Sequence, residues 1–206
     1  MKYILILMFF LFWSCNAQNK KQSTKKNKTT TVNTHTEMTT EKFDIATFEK
    51  NKIDNEYNFI MENGTKVRQT ESENEYSVYI TPPPPELFET YKQYYKSGEL
   101  QRYIISYPKD FLKLKKEYDK SGKLIEEINY DPPYKFSFEQ LLVLIEKEED
   151  TIDLYDKNTS IGRGSDENGT DWYITYKKVP MRREVIKVDG ITGEVLERGF
   201  HPHEDN

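Results

Sequence analysis

Cysteine and histidine are scarce in this 206-residue chain, which has one cysteine and three histidines. A single cysteine cannot form an internal disulfide bond or build a cysteine-based zinc cluster. The histidines are His35, near the N-terminus, and His201 and His203, close to the C-terminus. Because none lies in the central part of the sequence, a serine or cysteine nucleophile has no histidine there to activate it. The sequence therefore predicts no catalytic residues, no metal site and no cofactor.

An excess of positive charge and a long apolar run are also missing. The chain carries 30 Lys and Arg against 35 Asp and Glu, a net charge of −5. Proteins that bind nucleic acid meet the phosphates with a positive field, so no nucleic-acid partner is expected. The longest apolar run covers only residues 3–13, whereas a membrane-spanning helix needs about 20 residues. The run is too short to cross a membrane.

The N-terminus does contain the pattern of a secretion signal. A positive start at Lys2, the apolar run and small residues at 14–17 are typical of a leader that is removed after export. The lone cysteine, Cys15, follows the apolar run and resembles the lipidated cysteine of bacterial lipoproteins. The resemblance implies a signal peptide over 1–14, a membrane anchor on Cys15, and a body that faces the periplasm or the cell surface. Ordinary signal cleavage after Ala17 is the alternative.

Residues 15–42 are rich in lysine and threonine and almost free of apolar side chains. Such a segment cannot bury enough surface to offset the cost of ordering the chain, so it is predicted to be a disordered tether. Five lysines from Lys20 to Lys28 lie in the tether and Lys2 precedes it, while Glu37 is the one acidic residue before position 41, which leaves 24 basic against 34 acidic residues in 41–206. A body this acidic favours a basic protein partner and is repelled by an anionic lipid surface.

The sequence over 43–131 predicts a series of β-hairpins, preceded by a short helix that Asp44 caps. The pair Asn63-Gly64 suits the positive φ angles of a tight hairpin turn. Four prolines at 82–85 cannot donate to a sheet, so a strand must end there, and the prolines are interpreted as a stiff spacer. The stretch Lys-Ser-Gly-x-Leu then occurs twice, 24 residues apart, with Gly98 and Gly122 in the turns. Each copy predicts one hairpin.

The repeated stretch resembles the MORN-repeat variant of exported bacterial proteins over about 88–130. The resemblance implies stacked hairpins that share one core. It is carried by the signature Tyr-x-x-x-Gly-x-Leu, which falls at Tyr94, Gly98 and Leu100 and again at Tyr118, Gly122 and Leu124.

Tyrosines are concentrated in the same region. A tyrosine combines a large apolar surface with a polar tip, which favours it both inside sheets and on binding surfaces. Two interpretations therefore stay open: the side chains pack within the sheet, or they form an interaction surface for a partner. The candidate surface consists of Tyr91, Tyr94, Tyr95, Tyr103 and Tyr107.

Beyond Pro133 the apolar residues change to helical spacing. Ser137 and Gln140 predict a capping box, and Phe136 and Leu141 predict a hydrophobic staple, at the start of a helix over 138–149. Strands are expected to follow the helix. Their turns are predicted at Asn168-Gly169 and between Asp189 and Gly193.

The helix, the strands and the final run Asp-Gly-Ile-Thr-Gly-Glu-Val-Leu resemble a PepSY unit, a small module of exported proteins, over about 136–200. The resemblance implies a helix packed on a small antiparallel sheet within 132–200. It also implies inhibition of a peptidase, the role attributed to some members of that family. Residues 201–206 are expected to form a flexible tail.

These patterns together predict an α+β fold, with antiparallel MORN-like hairpins followed by a helix packed on a small PepSY-like sheet. The predicted function is non-catalytic: binding of an unidentified protein, or a structural role, in the cell envelope. Two alternatives stay open. One is neutralisation of a toxin or peptidase; the other is a glycan-processing enzyme whose acid and base are two of the many carboxylates.

Overall fold

The computed structural model describes residues 37–108, 110–148 and 151–203. The predicted signal peptide, Cys15, the tether as far as residue 36 and the last three residues of the tail lie outside this range. The described residues form eleven strands and two helices, and the strands make two antiparallel sheets. Neither helix is long and apolar enough to cross a membrane.

The first sheet has seven strands, and each strand is hydrogen-bonded to its neighbours in sequence. Its strands are β1 (Glu56–Ile60), β2 (Lys66–Glu71), β3 (Glu75–Thr81), β4 (Glu89–Tyr95), β5 (Leu100–Tyr107), β6 (Phe111–Tyr118) and β7 (Leu124–Asn129). The second sheet has four strands in the order β11-β10-β9-β8. They are β8 (Ser160–Ser165), β9 (Thr170–Tyr176), β10 (Arg182–Asp189) and β11 (Val195–Pro202). The first two residues of the predicted tail therefore belong to β11.

The two helices, α1 (Ile45–Asn51) and α2 (Phe138–Ile145), begin where their capping residues predict. The Asp44 side chain accepts a hydrogen bond from the backbone nitrogen of Thr47 at 2.9 Å. Ser137 and Gln140 form both hydrogen bonds of a capping box at the start of α2. These local interactions satisfy amide groups that a helix leaves free at its N-terminus.

The predicted α+β fold class is wrong. The described residues are 49% strand and only 9% helix, and they form two antiparallel sheets instead of a helix packed on one sheet. The helix α2 ends at Ile145, and the sequence that follows, Glu-Lys-Glu-Glu-Asp, places negative charge at the negative end of the helix dipole. Eight helical residues extend about 12 Å, so α2 is too short to form a layer of its own.

Two hydrophobic cores hold the described residues together. The first lies between α1 and one face of the first sheet, and Phe48 of α1 is fully buried in it. The second contains residues of α2 and of the second sheet, but also Tyr107 and Phe111 from the first sheet. The two sheets therefore share this second core, and the C-terminal region does not close its core alone, whereas the first core is built from the hairpin region only.

Both hairpins of the repeat form as predicted, β4 with β5 and β6 with β7. The turn glycines Gly64, Gly98, Gly122 and Gly193 adopt positive φ angles of 79–97°. Side chains also stabilise three of the predicted turns. The Asn63 amide oxygen accepts a hydrogen bond from the Thr65 nitrogen, and Asp189 accepts from the nitrogens of Ile191 and Thr192. In the Asn168-Gly169 turn, Asp166 accepts from the nitrogens of both turn residues.

Residues 37–43, which we call the strap, run across the turns of the two repeat hairpins. The Thr39 nitrogen donates to the Gly122 oxygen at 2.8 Å, and the Phe43 nitrogen donates to the Gly98 oxygen at 2.8 Å. In return, the nitrogens of Leu124 and Leu100 donate to strap carbonyl oxygens at 3.0 and 3.3 Å. The last six residues of the predicted tether thus make regular backbone hydrogen bonds to the repeat.

The strap makes the same side-chain contacts at both repeats. Glu37 accepts hydrogen bonds from Lys116 at 2.9 Å and from the Tyr118 hydroxyl at 3.4 Å. Glu41 accepts from Lys92 at 2.8 Å and from the Tyr94 hydroxyl at 2.5 Å. The two lysines, like the two tyrosines, are 24 residues apart, so each repeat offers the strap one lysine and one tyrosine. Four residues of strap span one 24-residue repeat.

Candidate binding cleft

The five tyrosines of the sequence-predicted surface do not share one face of the sheet. Tyr94 lies in the first core and Tyr107 in the second, each with only 4% of its surface exposed. Tyr91, Tyr95 and Tyr103 are half-buried. In the register of β4 with β5, Tyr103 lies opposite Lys92, so these two side chains share one face of the sheet. Tyr91 is the neighbour of Lys92 along the strand, so its side chain points to the other face. Of the five, only Tyr107 lines the cleft described next.

A cleft of about 530 Å³ opens between one end of the first sheet and the segment that precedes β8. Four segments line it: the β1–β2 turn with the start of β2, the loop between β3 and β4, the turn between β5 and β6, and the segment that precedes β8. The loop exists because four prolines cannot continue the ladder of β3, so the chain leaves the sheet at Pro82. After the prolines, Phe88 turns back into the second core, where its ring lies 5.2 Å from that of Phe138.

The walls of the cleft are mainly apolar. The Tyr155 hydroxyl donates a hydrogen bond to the Pro85 carbonyl at 3.0 Å, which ties the segment before β8 to the proline loop. Because prolines have a fixed φ, the wall that they form is rigid before any ligand arrives. The apolar lining residues are Pro82, Pro83, Pro84, Leu87, Phe88, Pro108 and Leu154.

Charged groups accompany these walls, and among the lining residues that the structure describes negative charge predominates. Four carboxylates, those of Glu86, Glu89, Asp110 and Asp156, line the cleft together with two lysines, Lys66 and Lys157. The Thr81 hydroxyl donates to Glu89 at 2.8 Å, and the Ile161 nitrogen donates to Asp110 at 3.1 Å. These contacts hold two of the carboxylates in fixed positions.

Tyr107 contributes a hydroxyl group to the cleft. Its side chain is 4% exposed and its ring stacks on Phe111 at 5.5 Å. The hydroxyl has no hydrogen-bond partner among the residues that the structure describes, but its oxygen is not among their buried unpaired atoms and therefore opens to the cleft. Burial of the side chain, followed by the negative charge of Asp110, raises the pKa of Tyr107 to about 12. The hydroxyl can therefore donate a hydrogen bond to a ligand in the cleft.

The strap and the cleft lie at opposite ends of the first sheet. In an antiparallel meander successive turns alternate between the two ends, so the turns at Gly98 and Gly122 share one end. The β3–β4 loop and the β5–β6 turn, which line the cleft, share the other. A strand of eight residues such as β5 spans about 26 Å. The strap is therefore separated from the cleft by the length of the sheet.

Comparison with protein-family models, with curated proteins and with solved structures finds no match to this chain. The MORN and PepSY resemblances remain predictions from short motifs, and the function has to be argued from the structure itself.

Sequence reasoning missed most of the cleft. The four prolines are interpreted from sequence as a spacer, whereas in the structure three of them, Pro82 to Pro84, line the cleft. Leu154 and Tyr155 carry no motif, and Tyr155 meets Pro85 across 70 residues of sequence. The available signal was the pair Leu87-Phe88, which follows the prolines after Glu86, because two large apolar residues soon after a strand terminator indicate a segment that turns back into a core.

Proposed function

We propose that this protein is a non-catalytic binding protein of the bacterial cell envelope. In this proposal the leader exports the chain, Cys15 anchors it in the membrane and the body binds another protein. The observation that carries the proposal is the placement of the strap and the cleft at opposite ends of the first sheet. It gives the body one end for attachment and another for binding.

The strap fixes where the chain that leads to Cys15 joins the body. Glu37, where the described chain begins, lies beside the β6–β7 turn, because its carbonyl accepts from the Leu124 nitrogen at 3.0 Å. The end of the sheet that carries the repeat turns is therefore the end tied to the anchor. The cleft opens at the far end, where a partner has access to it.

The charge of the body supports a basic partner. Residues 41–206 contain 34 acidic against 24 basic residues, and complementary charge speeds the encounter of two proteins more than it tightens the final complex. Exposed charges are screened by salt, with a Debye length of about 8 Å at physiological ionic strength. Binding driven in this way becomes weaker as salt is added.

Replacing the lipidation site tests the anchor. We expect Cys15→Ser to move the protein from the membrane fraction to the soluble fraction of the envelope or to the medium, because serine has no thiol to carry the acyl chains that hold the chain to lipid. Asn16→Ser, one residue further on, serves as the matched control and leaves the protein in the membrane. A Cys15→Ser protein that still sediments with membranes contradicts the anchoring part of the proposal.

Affinity capture tests the binding part. The full chain, solubilised in detergent, is used to capture proteins from envelope extracts of the native cells at about 0.05 M and about 0.5 M NaCl, where the Debye length falls from above 10 Å to below 8 Å. We expect one basic protein at a stoichiometric ratio in low salt and much less of it in high salt. Recovery of no stoichiometric protein in either buffer contradicts a binding role.

A further inference from the structure

We propose that the cleft is a docking site for an extended peptide segment that places one large apolar side chain beside a basic one. This inference rests on the proposed binding function and names the kind of segment that the partner presents. The walls, the charges and the Tyr107 hydroxyl of the cleft each contribute one part of it.

The walls select the apolar side chain. A volume of about 530 Å³ lies within the range of sites that enclose a small ligand or a large side chain. The proline wall, Leu87 and Leu154 offer carbon surface to an aromatic or aliphatic group. Because the prolines and the contact between Tyr155 and Pro85 hold the walls in place, little conformational freedom is lost when the group enters.

The charges select the basic side chain. Among the described residues, four carboxylates against two lysines line the cleft, so a lysine or arginine is attracted and an acidic residue is repelled. The carboxylates come from separate parts of the chain: Glu86 from the β3–β4 loop, Glu89 from the start of β4, Asp110 from the β5–β6 turn, and Asp156 from the segment before β8.

The Tyr107 hydroxyl selects a ligand with its own hydrogen-bonding groups. The hydroxyl opens to the cleft and makes no hydrogen bond to a described residue. A peptide can pair with it, because each peptide residue carries a carbonyl oxygen that accepts a hydrogen bond from the hydroxyl. A purely hydrocarbon ligand would exclude water from the hydroxyl and leave it without a partner.

Fluorescence anisotropy with three labelled peptides tests the proposal on the full chain in detergent. The probe is Gly-Ser-Lys-Trp-Arg-Ser-Gly. Its controls are Gly-Ser-Glu-Trp-Glu-Ser-Gly, which reverses the charge, and Gly-Ser-Lys-Ala-Arg-Ser-Gly, which removes the apolar side chain. We expect the probe to bind at least tenfold more tightly than either control. Equal affinities for the three peptides, or no binding of the probe, overturn the proposal.

Tyr107→Phe separates a binding role of the hydroxyl from a structural one. We expect this variant to bind the probe at least fivefold more weakly, while its melting temperature stays the same or rises, because the hydroxyl makes no hydrogen bond to a described residue and the ring remains in the core. The matched control is Tyr134→Phe: Tyr134 packs against the same core but does not line the cleft. It leaves the affinity unchanged. A Tyr107→Phe variant that binds as well as the original chain contradicts the role of the hydroxyl.

A rim variant and a small probe complete the test. Glu86→Lys, at an exposed position, should weaken binding of the basic probe and strengthen that of the acidic peptide.

Tryptophan amide is the small probe. If it binds as tightly as the peptide probe, the cleft is a site for a small aromatic molecule and the peptide proposal is overturned. The experiments distinguish the two proposals. Capture of a partner without binding of the probe refutes only the proposal that the cleft binds a peptide. Binding of the probe without capture of a partner refutes only the proposed binding role in the envelope.

Discussion

Gly122→Ala is expected to destabilise the protein far more than Gly98→Ala, although both glycines occupy the same position of the repeat. Both have positive φ angles, 82° and 97°, so an alanine at either site carries the same backbone strain of about 1–2 kcal/mol. The sites differ in what a Cβ atom would meet. At Gly122 it would lie 2.2 Å from the Thr39 carbonyl oxygen, whereas at Gly98 the nearest heavy atom is 3.5 Å away.

The clash at Gly122 is with the backbone of the strap, so rotation of a side chain cannot relieve it. The strap must move, and the hydrogen bonds of Thr39 and Leu124 across this turn are lost. We expect the free energy of unfolding to fall by a further amount of about 1–3 kcal/mol, the usual cost of forcing extra atoms into a packed site.

Urea unfolding measures the free energy of unfolding of both variants, and amide hydrogen exchange reports whether the amides of residues 38–43 lose their protection. Equal losses for the two variants would contradict the docking of the strap.

Arg163→Lys is the second change with a large expected effect, because this side chain joins the two sheets. Its guanidinium lies 4.4 Å from the ring centre of Phe111 and 5.6 Å from that of Trp172. It also pairs with Asp131 at 2.8 Å and donates to the Leu112 carbonyl. The side chain is only 5% exposed. One planar cation thus contacts the first sheet, the second sheet and the connection between them.

Lysine cannot reproduce these contacts, because its compact ammonium neither stacks on the rings nor bonds to two acceptors in one plane. We expect Arg163→Lys to lower the free energy of unfolding by about 2–4 kcal/mol. This is somewhat less than the cost of breaking a fully buried ion pair, because the Asp131 side chain is 42% exposed. Arg68→Lys is the matched control: Arg68 also pairs with a carboxylate and lies over a tyrosine, but it is 55% exposed. It should cost less than about 1 kcal/mol.

Tryptophan fluorescence during urea unfolding measures both variants, because Trp172 is fully buried in the shared core. If Arg163→Lys lowers the free energy of unfolding no more than Arg68→Lys does, the Arg163 guanidinium does not hold the two sheets together.

The parts of the fold that are visible in the sequence are those that short-range chemistry determines. Gly98 and Gly122 mark two turns because a positive φ favours glycine, and Ser137 with Gln140 marks the start of a helix because both hydrogen bonds close within four residues. The strap could not be predicted in this way. Its backbone groups bond to residues 55 to 87 positions away along the chain, and its mainly polar composition resembles that of a disordered segment.

The fold class failed for a related reason. The spacing of Phe138, Leu141 and Ile145 predicts a helix correctly, but it does not reveal that the face of the second sheet is also closed by residues of the first. The five candidate tyrosines do not share one face because side chains alternate along a strand, so that Tyr91 and Tyr94 point to opposite faces although they are close in sequence. The cleft could not be predicted, because it needs four segments that only the folded chain brings together.

Photo-cross-linking in the native cells tests the central claim, that the body binds its partner at the end opposite the strap. The photo-reactive residue p-benzoylphenylalanine replaces Glu86 at the mouth of the cleft in one protein and Lys120 at the β6–β7 turn in another; both positions are exposed. The account predicts one cross-linked protein from position 86 and none from position 120. Cross-linking from position 120 alone would place the partner at the strap and contradict the account.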